Sequence, residues 1–366
     1  MLKNGMAKKC SMLLTTFGLL SGTCAHGQEV AFKHYSSDQG FSGAAFKTIV
    51  QDSLGFLWIS AASGLFKFDG YNFTNYQSTV SGIQLLQSHG IKNPLMNVDP
   101  SGRVWIGSVN YIARFDRNKD LFIPYKVSDD TSRIEFLWSE NENTIWVSMV
   151  GKGLVRFDVR NEKIVSYVNE AHQDNKFIDN NTILHIADKG NSLLLGTNNG
   201  LWIFDKESKL FSRPRCTDDE CISILNGDIK KIFVHSNDIW LWTKHQLVKV
   251  NADYNVTKRL ELNKIQQLFD FEKKFVDSRV MCVTEDREGN FWIASQGLGL
   301  TYYNPQTNLL KNYRSDKNDA NSLPSDVLHH VMIDRDHNVW TTAVNKGIVQ
   351  LKKQSLVFYN YLDGMS

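Results

Sequence analysis

Cysteine is scarce in this 366-residue chain, with five in all, and there are only six prolines beside 24 glycines. A disulfide-dense miniprotein and a collagen-like repeat are thereby excluded. Beyond the first 27 residues no run is long and apolar enough to span a bilayer as a helix, which takes about 20 residues. An excess of charge is missing too: 41 basic residues face 39 acidic ones. Three of the lysines, Lys3, Lys8 and Lys9, fall in the first 27 residues, which hold no acid, so the remainder carries 38 bases against 39 acids. A broadly basic surface, and with it a nucleic-acid partner, is not expected. Enzyme signatures are absent as well: no phosphate loop, no Gly-x-Ser-x-Gly elbow, no His-Glu-x-x-His and no paired-cysteine metal spacing. No cofactor, metal site or catalytic residue is therefore expected. Of the whole chain, 42% is hydrophobic, 11% aromatic and 22% charged, enough apolar residues to build a large core and too many for a disordered chain.

The three lysines precede an apolar stretch from Met12 to Leu20, and Ala25-His26-Gly27 fits a signal-peptidase site before Gln28. Residues 1–27 are read as a signal peptide and residues 28–366 as the mature chain, periplasmic in a bacterium. Ser21-Gly22-Thr23 before Cys24 is a poor lipobox. In the mature chain, Cys216 and Cys221 flank a polar stretch that an oxidising compartment closes into a small disulfide or leaves open, and Cys282 reads as a small buried hydrophobe.

A repeat runs through the mature chain. Asp-x-x-Gly-x-x-Trp occurs at Asp52/Gly55/Trp58, Asp99/Gly102/Trp105 and Asp286/Gly289/Trp292, with weaker copies between. Aligning Trp58, Trp105, Trp146, Leu194, Trp240, Trp292 and Trp340 gives seven units with a mean period of 47 residues. Six residues before each anchor stand Asp52, Asp99, Glu140, Asp188, Val234, Asp286 and Asp334. A carboxylate there accepts backbone N–H groups of its own turn. Val234 breaks the rule, and an irregular turn is expected in the fifth unit. A second column, Gly64, Tyr111, Gly153, Gly200, Gln246, Gly299 and Gly347, follows each anchor, and Asp69, Asp116, Asp158, Asp205, Asn251 and Asn304 mark a further turn.

Each period therefore reads as four short strands joined by turns, with no strong amphipathic helix between them. Such a unit cannot bury both faces alone. The economical solution is an all-β seven-bladed β-propeller of four-stranded antiparallel blades, with the tryptophan column between blades. The segment Phe32-Lys33-His34-Tyr35 resembles a blade's last strand and is expected to lock onto blade seven, closing the ring. The end of the chain, from Phe358, has the same character and reads as the start of a second propeller.

The run Asp52-Ser53-Leu54-Gly55-Phe56-Leu57-Trp58-Ile59-Ser60, leading into Ser63-Gly64-Leu65-Phe66-Lys67-Phe68-Asp69-Gly70, resembles the two-component regulator propeller repeat. The resemblance covers residues 28–366. It implies the periplasmic sensor half of a membrane signalling protein, with membrane-anchored output domains as partners, sensing a small molecule or oligosaccharide, and a homodimer formed through the sensor. The repeat motif itself is structural and carries no catalytic residue.

Propeller ligands commonly sit at a mouth of the central channel. The polar residues of the loops joining second and third strands are Asn110, Lys152, Lys244, His245, Gln296, Asn345 and Lys346. They are the candidate ligand-binding residues: amides for sugar hydroxyls, lysines for uronate or sulfate. The inserts 78–93 and 169–181, with His89 and His172, are expected to rim that mouth. His329 and His330 are adjacent on a strand and point to opposite faces, which does not suit a shared metal. Three readings remain open on residues alone: a sensor without turnover, a secreted propeller enzyme such as a lyase, and a passive binding scaffold.

Overall fold

The computed structural model describes residues 31–36, 46–76, 95–167, 182–216, 219–235, 238–265 and 279–351. The leader, the two inserts with His89 and His172, the Ser236-Asn237 turn of blade five and the chain end from residue 352 lie outside these.

Within the described residues the chain forms seven four-stranded antiparallel sheets. Blade one comprises Phe46–Gln51, Leu57–Ala61, Gly64–Phe68 and Phe73–Asn75, in that order across the sheet. Blades two to six repeat this order, and blade seven takes its fourth strand from the other end of the chain. Phe32–Tyr35 pairs antiparallel with Gly347–Leu351, Phe32 facing Leu351 and Tyr35 facing Ile348. The expected closure is thus observed, and it leaves no blade with an open ladder at the seam between chain ends.

The tryptophan column lies between blades, as its burial demands. None of the seven anchors is more than 8% exposed, and Trp58 and Trp105 are fully buried. Each anchor packs on the following blade: Trp58 on Met96, Val104 and Ile106 of blade two, Trp340 on Ile49 and Phe68 of blade one. Among the described residues seven apolar clusters correspond to the seven blade interfaces. With roughly 1.5–3 kcal/mol for each large apolar side chain fully buried, these interfaces dominate stability.

The turns do what the short polar residues require. Asp52 Oδ1 accepts the N–H groups of Leu54 and Phe56 at 2.9 and 3.1 Å, and the same pattern recurs at Asp286 and Asp334. Asp69, Asp116, Asp158, Asp205, Asn251 and Asn304 each accept N–H groups two and three or four residues on. These turns lie at one end of the ring, here the carboxylate end. The turns between second and third strands, and the connections between blades, lie at the other.

Two connections carry helical turns among the described residues, one of them the 3-10 turn Leu262–Lys264 after blade five. Asp219–Leu225 between blades four and five is a short helix, and Cys221 and Leu225 on it are buried in the blade interface. Cys221, expected in a polar loop, is bonded from this helix to Cys216. Burying two apolar side chains on one side is what turns a polar stretch helical here.

Candidate functional site

The first strand of each blade is innermost, and first strands of neighbouring blades lie against one another around most of the ring. Their side chains form the channel wall. Among the described residues, six blades carry a register shift at the start of this strand: after Phe46, Ile134, Ile183, Ile229, Val280 and Leu328. A bulge of this kind re-aims the residues that follow it. The residue paired two positions beyond the anchor is then Thr48 in blade one, Leu95 in two, Phe136 in three, His185 in four, Lys231 in five and Cys282 in six. In blade seven His330 takes this level, its N–H on Thr342 Oγ1 at 3.0 Å. One belt of the wall is therefore apolar over blades two and three and rich in titratable groups over blades four to seven.

The belt is continuous from blade to blade. The rings of Phe136 and His185 lie 4.8 Å apart, His185 Nδ1 accepts the Ile232 N–H at 3.4 Å, and Lys231 Nζ donates to the Val283 carbonyl at 2.9 Å. Burial, and then the charge of Lys231, push the His185 pKa down to about 3, so the ring is neutral. Cys282 is buried, with its Sγ 3.6 Å from the Val331 carbonyl. Burial works to raise this thiol, but the charge and hydrogen bond of His330, followed by the charge of Lys231, draw it down to about 6. His329, on the neighbouring position, meets Gln296 instead, Nε2 to Nε2 at 2.9 Å. Among the described residues no three histidine, cysteine or acidic side chains are grouped so as to hold a metal.

The structure places the seven candidate residues at the connection end but does not join any two of them by a hydrogen bond or ion pair among the described residues. Asn110 sits in a left-handed turn (φ 47°), buried, with its Oδ1 unpaired. Lys152 is held by Asp130 at 2.8 Å and Ser128 at 2.9 Å, and bonds from Lys152, Ser132 and the Ser128 hydroxyl keep Asp130 well below the usual carboxylate range. Lys244 and His245 are exposed, as are Asn345 and Lys346. Gln296 alone reaches a belt neighbour, through His329. These residues hang one strand further from the axis than the belt itself.

At the carboxylate end lies a cavity of about 350 Å³ between the inner strands of blades six, seven, one and two. It is bounded by Ile49, Val98, Met332, Glu285, Arg287 and Arg335, among others. Burial holds the Glu285 carboxyl above its ordinary pKa, with Asp286 adding to the shift and His235 and Lys231 opposing it. Sequence reasoning had no signal for this cavity. Its residues are spread over four repeats, and their facing depends on the bulges.

Residues 274–297 match the family model described as two component regulator propeller, so blade six carries that repeat. No curated protein matches the sequence. Among solved structures, the chain is similar to the extracellular domain of the hybrid two component system BT3049 from B. thetaiotaomicron. The identity is 19% and the TM-score 0.67, over 89% of this chain and 42% of that one. The corresponding domain of BT4673 from the same organism gives 20%, 0.66, 89% and 40%. The Cps50 (Swd1) β-propeller domain of Myceliophteria thermophila gives 11%, 0.61, 87% and 99%. The chain thus spans about two fifths of the two extracellular domains, and at these identities the likeness is one of fold.

Proposed function

We propose that the chain is the ligand-sensing propeller of a two-component-type signalling protein, acting outside the cytoplasm and without turnover of its own. The observation that carries this reading is the regulator propeller repeat at residues 274–297 within a closed ring that shares its fold with extracellular sensor domains. The signal-peptide character of residues 1–27 and the Cys216–Cys221 bond support a periplasmic setting, because small disulfides persist where the environment is oxidising. Output passes to membrane-anchored domains, and the sensor pairs with a second copy of itself.

The ligand is an oligosaccharide held at the connection end. Lys244, His245, Asn345 and Lys346 are exposed there, Asn110 has an unpaired amide oxygen, and Lys152 and Gln296 complete the set. Lysines favour an acidic sugar, and amides bond hydroxyls of any sugar.

The test is calorimetry of the full chain against neutral, uronate-bearing and sulfated oligosaccharides, with mass spectrometry of the mixture. An acidic sugar is expected to bind, Lys244→Ala with Lys346→Ala to weaken it about tenfold, some 1.4 kcal/mol, and the sugar to be recovered intact. Recovery of cleaved, unsaturated product would replace this reading by the lyase. Absence of binding to all three classes would remove the sugar-sensor assignment.

A further inference from the structure

The cavity at the carboxylate end lies opposite the mouth proposed for sugar. Its aliphatic lining is Ile49, Val50, Val98, Met332 and Ile333, and the rest is polar or charged. Among the described residues no aromatic ring lines it. A volume of about 350 Å³ is at the small end of those that enclose organic ligands.

Charge of both signs stands at its edge. The Glu285 side chain is 10% exposed, and its ion-pair partner is His235, at 3.4 Å. Arg287 and Arg335 occupy the same place in adjoining repeats, five residues before Trp292 and Trp340, so the ring symmetry brings both to one rim. Arg287 donates to His337 Nε2 at 3.3 Å. Neither arginine is ion-paired to a carboxylate among the described residues, whereas Arg103, Arg117, Arg259 and Arg314 are. The neighbouring acids are already engaged. Asp286 takes the N–H groups of Glu288 and Asn290 and the Asn290 amide. Asp334 takes those of Asp336 and Asn338 and the Trp340 indole.

Two guanidinium groups with no carboxylate partner among the described residues match a carboxylate, which guanidinium binds in a fixed fork geometry. A desolvated carboxylate such as Glu285 matches a compact cation, which returns the counter-charge that burial withholds. The aliphatic residues Ile49, Val98 and Met332 line the same cavity. We propose that this mouth binds a small aliphatic zwitterion of the amino-acid class. Its carboxylate lies between Arg287 and Arg335, its ammonium at Glu285 and its side chain against Ile49, Val98 and Met332.

The experiment is calorimetry of the full chain with three probes: L-leucine, 4-methylpentanoate, which lacks the ammonium, and isoamylamine, which lacks the carboxylate. Leucine is expected to bind at least about tenfold tighter than either fragment. Arg335→Met should weaken leucine and 4-methylpentanoate by about tenfold and leave isoamylamine unchanged. Glu285→Gln should weaken leucine and isoamylamine and leave 4-methylpentanoate unchanged. Arg335 is exposed, so its variant keeps the fold, which a thermal melt verifies, and Arg287→Met repeats the test independently. Absence of leucine binding at about 10 mM, a concentration that detects even millimolar affinity, overturns the proposal. So does an equal loss of all three probes in each variant. Oligosaccharide binding at the opposite mouth is expected to survive Arg335→Met, which separates the two sites.

Discussion

The indole Nε1 of Trp340 donates a 2.7 Å hydrogen bond to Oδ2 of Asp334, six residues earlier, while the other oxygen of the same carboxylate holds the turn between them. The pair recurs as Trp58 with Asp52, Trp105 with Asp99 and Trp146 with Glu140, at 3.2, 3.0 and 2.8 Å. At Asp52, Asp99 and Asp334 one carboxylate therefore fixes both the turn and the ring that crosses to the next blade, whereas in blade three Asn141 takes the turn N–H. Asp334→Ala strips a buried indole N–H and two backbone N–H groups of their acceptor. At about 1–3 kcal/mol for each group left buried and unpaired, a loss of about 3 kcal/mol is expected. Trp340→Phe should cost less, and the double variant should show at least about 1 kcal/mol of coupling in denaturant unfolding. Additive losses would show that the bond contributes nothing.

Gly347 and Gly70 separate two reasons for a glycine. Both have positive φ, 92° and 98°. A Cβ on Gly347 would lie 2.0 Å from the Tyr35 carbonyl oxygen, on the closing strand, whereas one on Gly70 meets nothing within 4 Å. Gly70→Ala should cost about 1–2 kcal/mol, the strain of a left-handed alanine. Gly347→Ala should cost at least about 2 kcal/mol more, because the closing strand must move away. Matched denaturation midpoints of the two variants give the comparison.

Most of this ring was legible because its signals are local. Asp52, Gly55 and Trp58 sit within one turn, and Phe32–Tyr35 carries the pattern of a fourth strand with no blade of its own before it. The indole bond has a local signal as well, the six-residue spacing from carboxylate to tryptophan at Asp52/Trp58, Asp99/Trp105, Glu140/Trp146 and Asp334/Trp340. The channel side chains were illegible. Alternation along a strand tells inside from outside only while the register holds, and the bulges before His185, Lys231 and Cys282 shift it. The helix at Asp219–Leu225 has no strong period, and it forms because Cys221 and Leu225 find cover between blades.

His185 makes stability depend on pH in one direction. Its folded pKa is depressed to about 3, while in the unfolded chain it is near the ordinary 6.5. Below about pH 6.5 the unfolded state binds a proton that the folded state refuses, so stability falls with acidification by up to about 1.4 kcal/mol per pH unit. Above that pH the residue contributes no slope. His185→Gln should flatten the difference between pH 4.5 and 6.5 and leave the profile above 7 unchanged, as read by thermal melts across buffers. An identical acid limb in the variant would place the proton elsewhere.

The ring is shut by the strand Phe32–Tyr35, and amide hydrogen exchange tests that closure directly. Only alternate amides of an edge strand face its partner, and those of Phe32–Tyr35 that face Gly347–Leu351 are expected to exchange as slowly as Val349 and Gln350. Free exchange at those amides, with Gln350 and Val349 still protected, would contradict it.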